Sequence, residues 1–161
     1  MKQGRANCWP PIPIRIAMDY ETYEKECAKI KAQNQELLTA FRAYLEASRL
    51  SQKTVKKHLY NIDFYINEFL LYEELQQPEE GVRKLNYFFG YWFIRKAMWA
   101  SVNSIKENIA SLKKFYAFLE REGRLDPDHY LDMLEEVKES RQEWIEGLIA
   151  YDTGFSSADM W

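Results

Sequence analysis

Ser51–Leu70 reads SQKTVKKHLYNIDFYINEFL, and its apolar spacing decides the fold. Val55, Leu59, Ile62, Ile66 and Phe69 follow one another at intervals of 4, 3, 4 and 3, which is one stripe of an amphipathic helix. Ser51 stands where an N-cap belongs, because its hydroxyl can accept a hydrogen bond from a free N–H of the first turn. Lys53, Lys56 and Lys57 crowd the same end. The helix dipole is positive there, so cations at that end ask for an anion as partner. Fifty positions later Ser101–Glu120 reads SVNSIKENIASLKKFYAFLE. Ile105, Ile109, Leu112, Tyr116 and Leu119 repeat the stripe position for position, and Ser101, Ser104 and Lys106 stand where Ser51, Thr54 and Lys56 stood.

Outward from this pair, the rest of the chain reads as helix too. Asp19 caps a helix over Tyr20–Gln33 that runs on, or bends near Asn34, into Gln35–Ser48. Gln76–Gly81, with Pro78 and Gly81, is a connection. Val82–Ala97 is apolar nearly all round and is expected as the buried central helix, with Gly90 allowing close packing. The Ser101 helix stops at Gly123. Asp126-Pro127 opens a last helix to about Ala150, in which Leu131, Leu134, Val137, Trp144, Ile145 and Leu148 are available for packing. Tyr151–Trp161 is expected to be irregular, and Met1–Met18, with Pro10, Pro11 and Pro13, to be an extended arm. The expectation is therefore an all-α fold: a compact bundle of two packed helical hairpins with extra N- and C-terminal helices. Residues 1–18 form the arm, 19–125 the helical domain, and 126–161 an acidic helix and tail packed on that domain.

Composition agrees and bounds the function. The 161 residues include 16% aromatics, six Gly and five Pro, which favours one domain built of long helices. The net charge of −3 is unevenly spread: +1 over residues 1–48, +4 over 49–125 and −8 over 126–161. A basic middle and an acidic end leave room for a local basic face while excluding an indiscriminately basic nucleic-acid binder. Cys8 and Cys27 are the only cysteines, no signal peptide stands out, and no apolar run is long enough to span a bilayer. The expected setting is the cytoplasm, with both thiols reduced.

No paired carboxylates, metal-ligand cluster, glycine-rich phosphate loop or Ser/His/Asp set stands out, and no cofactor, metal or small-molecule substrate is expected. His58 is expected at the surface or beside the basic face. Arg124 and His129 form an Arg-x4-His, a spacing that helical HEPN ribonucleases use, but here it spans a Gly–Pro-punctuated junction rather than one helix face. It is therefore set aside.

The order of motifs resembles the N-terminal core-binding, SAM-like domain of tyrosine recombinases and phage integrases. That pattern runs from a helix ending in YL…GLS, through a Ser-x-x-Thr helix, to a second Ser-x-x-Ser/Thr helix closing on L..FY.FL..EG. This chain carries Tyr44-Leu45, Leu50-Ser51, Thr54, Ser104, Leu112, Phe115-Tyr116, Phe118-Leu119 and Glu122-Gly123 in that order, over roughly residues 36–126. The resemblance implies a SAM-like bundle that contacts duplex DNA through its two serine-led helices. Carried over by position, the contacts fall on Lys53, Thr54, Lys56, Lys57 and Asn61 in the first helix, and on Asn103, Ser104, Lys106, Ser111 and Lys114 in the second. A recombinase or a second copy of the chain is the implied protein partner. Glu107 and Asp63 depart from the pattern by placing acids near that face, and an acidic helix stands where the family's linker leads to the catalytic domain. The family's His-x-x-Arg is absent: His58 is followed by Leu-Tyr-Asn and His129 by Tyr-Leu-Asp. No strand cleavage is expected, and the chain is not read as an enzyme. The other reading is a protein-interaction module on the same scaffold, with the acidic helix masking the basic face or binding a basic partner.

Overall fold

The computed structural model describes residues 19–159, with side chains as far as Gly154. Among the described residues every regular element is helical, so the fold is all-α. The expectations for the Met1–Met18 arm and for Cys8 lie outside the described residues. The chain divides into two compact units at Gly81 and Val82.

The first unit opens with α1, Tyr20–Ala47. Asp19 caps it by accepting from the Thr22 N–H at 2.7 Å, and that bond holds the Asp19 carboxyl below the usual range. The helix runs unbroken through Asn34. That residue is turned inward, and its amide donates to Asn67 Oδ1 at 2.8 Å and to the Ile66 carbonyl at 3.4 Å. Arg49 ends the helix in the left-handed region, at φ +66°. Next comes α2, Gln52–Asp63, which passes at Phe64 into a π-helical turn, Phe64–Phe69. The helical run that Ser51 opens therefore ends near Leu70. Tyr23, Phe41 and Leu45 of α1 are buried, as are Val55 and Ile62 of α2 and Tyr65 and Ile66 of the π-turn. Burying each such side chain contributes about 1.5–3 kcal/mol before entropy is counted. Two buried hydroxyls find backbone acceptors, Tyr23 on the Leu71 carbonyl at 3.2 Å and Tyr65 on that of Gly81 at 2.7 Å. A 3-10 turn, Pro78–Arg83, carries the chain on.

The second unit begins with a short helical segment. It consists of α3 (Leu85–Tyr87), a π-turn (Phe88–Trp92) and α4 (Phe93–Lys96). Because the 3-10 turn extends to Arg83, this segment starts later than the apolar run in the sequence predicts. Phe88, Phe89, Trp92 and Phe93 are buried, as expected, but Tyr87 and Tyr91 are exposed. At Gly90 a Cβ would meet Trp144 at 3.7 Å, an ordinary contact. Trp144 donates its indole N–H to Asn86 Oδ1 at 2.8 Å and lies against Phe89, with ring centroids 4.9 Å apart.

α5, Val102–Arg121, ends as its sequence predicts. Gly123 has φ +77°, its N–H bonds the Glu120 carbonyl, and the Arg124 N–H bonds that of Leu119 at 2.9 Å. Asp126 then caps α6, Pro127–Asp159, through the Asp128 N–H at 2.8 Å. The helix continues past Ala150 through Tyr151 to Asp159, so the expected irregular tail is corrected over those residues. Met133, Val137, Trp144, Ile145 and Leu148 are buried, whereas Leu131 is exposed. The last helix is therefore part of the core of its unit and not an appendage to it.

Candidate nucleic-acid interface

The first half of the expected surface is the opening of α2. Ser51 takes an extended backbone and accepts from the Thr54 N–H at 3.2 Å, while its hydroxyl donates to Thr54 Oγ1 at 3.0 Å. The Ser-x-x-Thr pair is thus the helix cap itself. Lys53, Lys56 and Lys57 are exposed, and the first turn holds no acid. With Tyr60, also exposed, they share one side of the helix by their i, i+3, i+4, i+7 spacing. Asn61 is only 8% exposed, because it flanks the apolar stripe at Ile62. It is withdrawn as a phosphate ligand on that ground. His58 is buried as well, contrary to its expected surface position.

The second half is the opening of α5. Here the cap is reciprocal: Ser101 Oγ accepts from the Ser104 N–H at 3.0 Å, and Ser104 Oγ accepts from the Ser101 N–H at 2.8 Å. Ser104 Oγ also lies 3.0 Å from the Ser101 carbonyl, so its hydroxyl is committed to the cap. Asn103 donates to Glu107 Oε2 at 3.0 Å. Lys106 and Lys114 are exposed on the side of the helix that carries Asn103. Ser111 is fully buried, which withdraws it too. Its neighbours Asn108 and Phe115 are also buried, so the inward face of α5 is wider than the single stripe.

The structure therefore sorts the ten candidates by what their side chains are already doing. Thr54 accepts from the capping Ser51 hydroxyl, Ser104 completes the α5 cap, Asn103 holds Glu107, and Asn61 and Ser111 are buried. The other five candidates are exposed lysines: Lys53, Lys56 and Lys57 in the first unit, Lys106 and Lys114 in the second. Of the two acids that depart from the pattern, Glu107 is tied to Asn103, and Asp63 accepts from Asn67 at 2.6 Å. Lysine ammonium groups on helix openings without acids can neutralise phosphates, and they carry no base-reading geometry.

Other chemistry is sparse. Among the described residues no group of three His, Cys, Asp or Glu side chains could hold a metal ion. No described helix is long and apolar enough to cross a membrane. His129 Nε2 lies 3.5 Å from the Arg83 guanidinium, in a shallow groove of about 250 Å³ that also takes in Asp132 and Glu136. Burial pushes the Glu136 carboxyl above its ordinary pKa. One surface feature went unforeseen, the exposed tyrosines of the second unit. The spacing of Tyr87, Tyr91 and Arg95 was its only sequence signal.

Comparison with protein-family models, with curated proteins and with solved structures finds no match.

Proposed function

We propose that the protein is a non-catalytic duplex-DNA-binding module, similar in kind to the core-binding domain of a phage-integrase-type recombinase. The observation that carries this reading is the exposure of Lys53, Lys56 and Lys57 around the acid-free, serine-capped start of α2. Three ammonium groups at the positive end of a helix repel both the dipole and one another, and a phosphate backbone relieves both terms. α5 repeats the capped opening, with exposed Lys106 in its second turn and exposed Lys114 farther along the same side. The backbone supports the resemblance at two further points. Arg49 and Gly123, both at positive φ, stand where the family pattern places glycine before Leu-Ser and after Glu.

Contact through lysines alone reads backbone and not sequence. If all five lysines reach phosphates, the logarithm of affinity falls against the logarithm of salt with a slope of about −4.5. Titrating a labelled duplex at low and moderate salt tests the reading. The expected result is binding that weakens steeply with salt; a chain that binds no duplex even at low salt would sink it.

The exposure of Lys106 and Lys114 weighs against the masking alternative, since the acidic α6 packs along α5 in the same unit and leaves both lysines open. Deleting residues 126–161 is a poor test of masking, because it would remove the buried Met133, Val137 and Trp144. Neutralising Glu139 and Glu143 to Gln keeps the core intact, and an unchanged duplex affinity is the expected result.

A further inference from the structure

The second unit carries an exposed ladder of rings and cations that the duplex reading leaves unused. Lys84, Tyr87, Tyr91 and Arg95 are exposed at intervals of 3, 4 and 4 along the helical segment. The rings of Tyr87 and Tyr91 stack, with centroids 5.4 Å apart and planes at 18°. The Arg95 guanidinium lies 4.1 Å from the centroid of Tyr91 and 5.1 Å from that of Tyr151 on α6, and it donates to the Tyr91 carbonyl at 3.3 Å. These tyrosines are 39%, 46% and 37% exposed, although the same segment buries four other aromatic side chains. From Val82 to Met98 the chain has four basic residues, Arg83, Lys84, Arg95 and Lys96, and no acidic one. Met98 and Trp99, which follow in sequence, are exposed as well.

Tyr91 lies between the Tyr87 ring and the Arg95 guanidinium, so the row offers planar groups its solvent-exposed ring edges and its Tyr87 end, with positive charge at both ends for the backbone that links them. A duplex keeps its base faces stacked away, whereas a single strand presents them. We infer that the Lys84–Tyr87–Tyr91–Arg95 surface binds single-stranded nucleic acid by packing unpaired bases against the solvent-exposed parts of the tyrosine pair. Lys84 holds the adjacent phosphate. Asp152 directly follows Tyr151 in sequence, so the phosphate contact belongs to the Lys84 end and not to the Tyr151 end. The inference stands apart from the proposed duplex contact, since it uses other residues and another form of nucleic acid.

Fluorescence anisotropy of a labelled oligothymidine with the full chain at low salt tests it. The wild-type protein binds, and Y87A/Y91A weakens binding by at least about tenfold, the scale of losing one or more base–aromatic stacks. Y87F/Y91F, which keeps the rings, retains binding, and K84E weakens it without removing a ring. Duplex affinity is unchanged in Y87A/Y91A, and oligothymidine affinity is unchanged in K53E/K56E, so the two sites fail separately. No oligothymidine binding by the wild-type chain would overturn the inference. So would wild-type affinity in a Y87A/Y91A variant of native circular dichroism, or a loss in Y87F/Y91F as large as in the alanine pair.

Discussion

α2 and α5 start with the same device and finish differently. Both are led by a serine whose hydroxyl caps the first turn, and both bury matched positions of the repeated stripe, Val55 with Ile62 and Ile105 with Leu112, although Leu59 is half-buried where its match Ile109 is buried. α5 then stays α-helical for 20 residues and ends on Gly123, whereas α2 gives way after 12 residues to a π-turn. The difference lies in what each tail meets. Within its unit, the π-turn of the first helix receives the Asn34 amide on its Ile66 carbonyl and sends the Tyr65 hydroxyl to Gly81. The shared sequence pattern therefore specifies a capped amphipathic opening, and the local partners decide how far the regular helix runs.

The largest effect expected from this comparison is in the core. Ile62→Ala and Leu112→Ala remove side chains from matched, buried positions, and each should cost about 2–5 kcal/mol in denaturant unfolding. A loss at one position with none at the other would break the equivalence of the two stripes. The caps come next. Ser101→Ala disrupts a reciprocal pair and should cost about 1–2 kcal/mol, while Ser51→Ala should cost nearer 0.5–1 kcal/mol. Equal losses would mean that the second half of the α5 box contributes nothing. The helix ends give the smallest effects, with opposite signs. Arg49→Gly relieves a left-handed residue and should stabilise by up to about 1 kcal/mol, whereas Gly123→Ala imposes one and should destabilise by about 1 kcal/mol.

Much of the fold was legible because caps and breakers act locally. Asp19, Ser51, Ser101, Gly123 and Asp126 each do in the structure what their position predicts. The π-turns were not legible, because 3-and-4 spacing of apolar residues does not distinguish a π-turn from continued α-helix. Nor was the length of α6, since Tyr151 to Asp159 contains Gly154 and two serines and carries no clear stripe.

The candidate surface was legible at its lysines and misleading at its short polar residues. Ser104 completes a capping box and Thr54 accepts from the capping Ser51 hydroxyl, roles that a Ser-x-x-Ser/Thr pattern has at the start of any helix. Asn61 and Ser111 lie beside Ile62 and Leu112, and a small polar residue next to a stripe turns inward when the buried face is wide. Tyr87 and Tyr91 erred in the opposite sense. A run rich in aromatic side chains reads as core throughout, although one side of so short a helix still faces out.

The central claim is that the exposed lysines of α2 and α5 contact a phosphate backbone. The most direct measurement is the salt dependence of duplex affinity for K53E/K56E and for K106E/K114E, each against the wild-type chain. The account predicts weaker binding in both, with the slope of log affinity against log salt reduced by about 2 in each variant. Wild-type affinity and slope in both variants, with duplex binding intact, would contradict it.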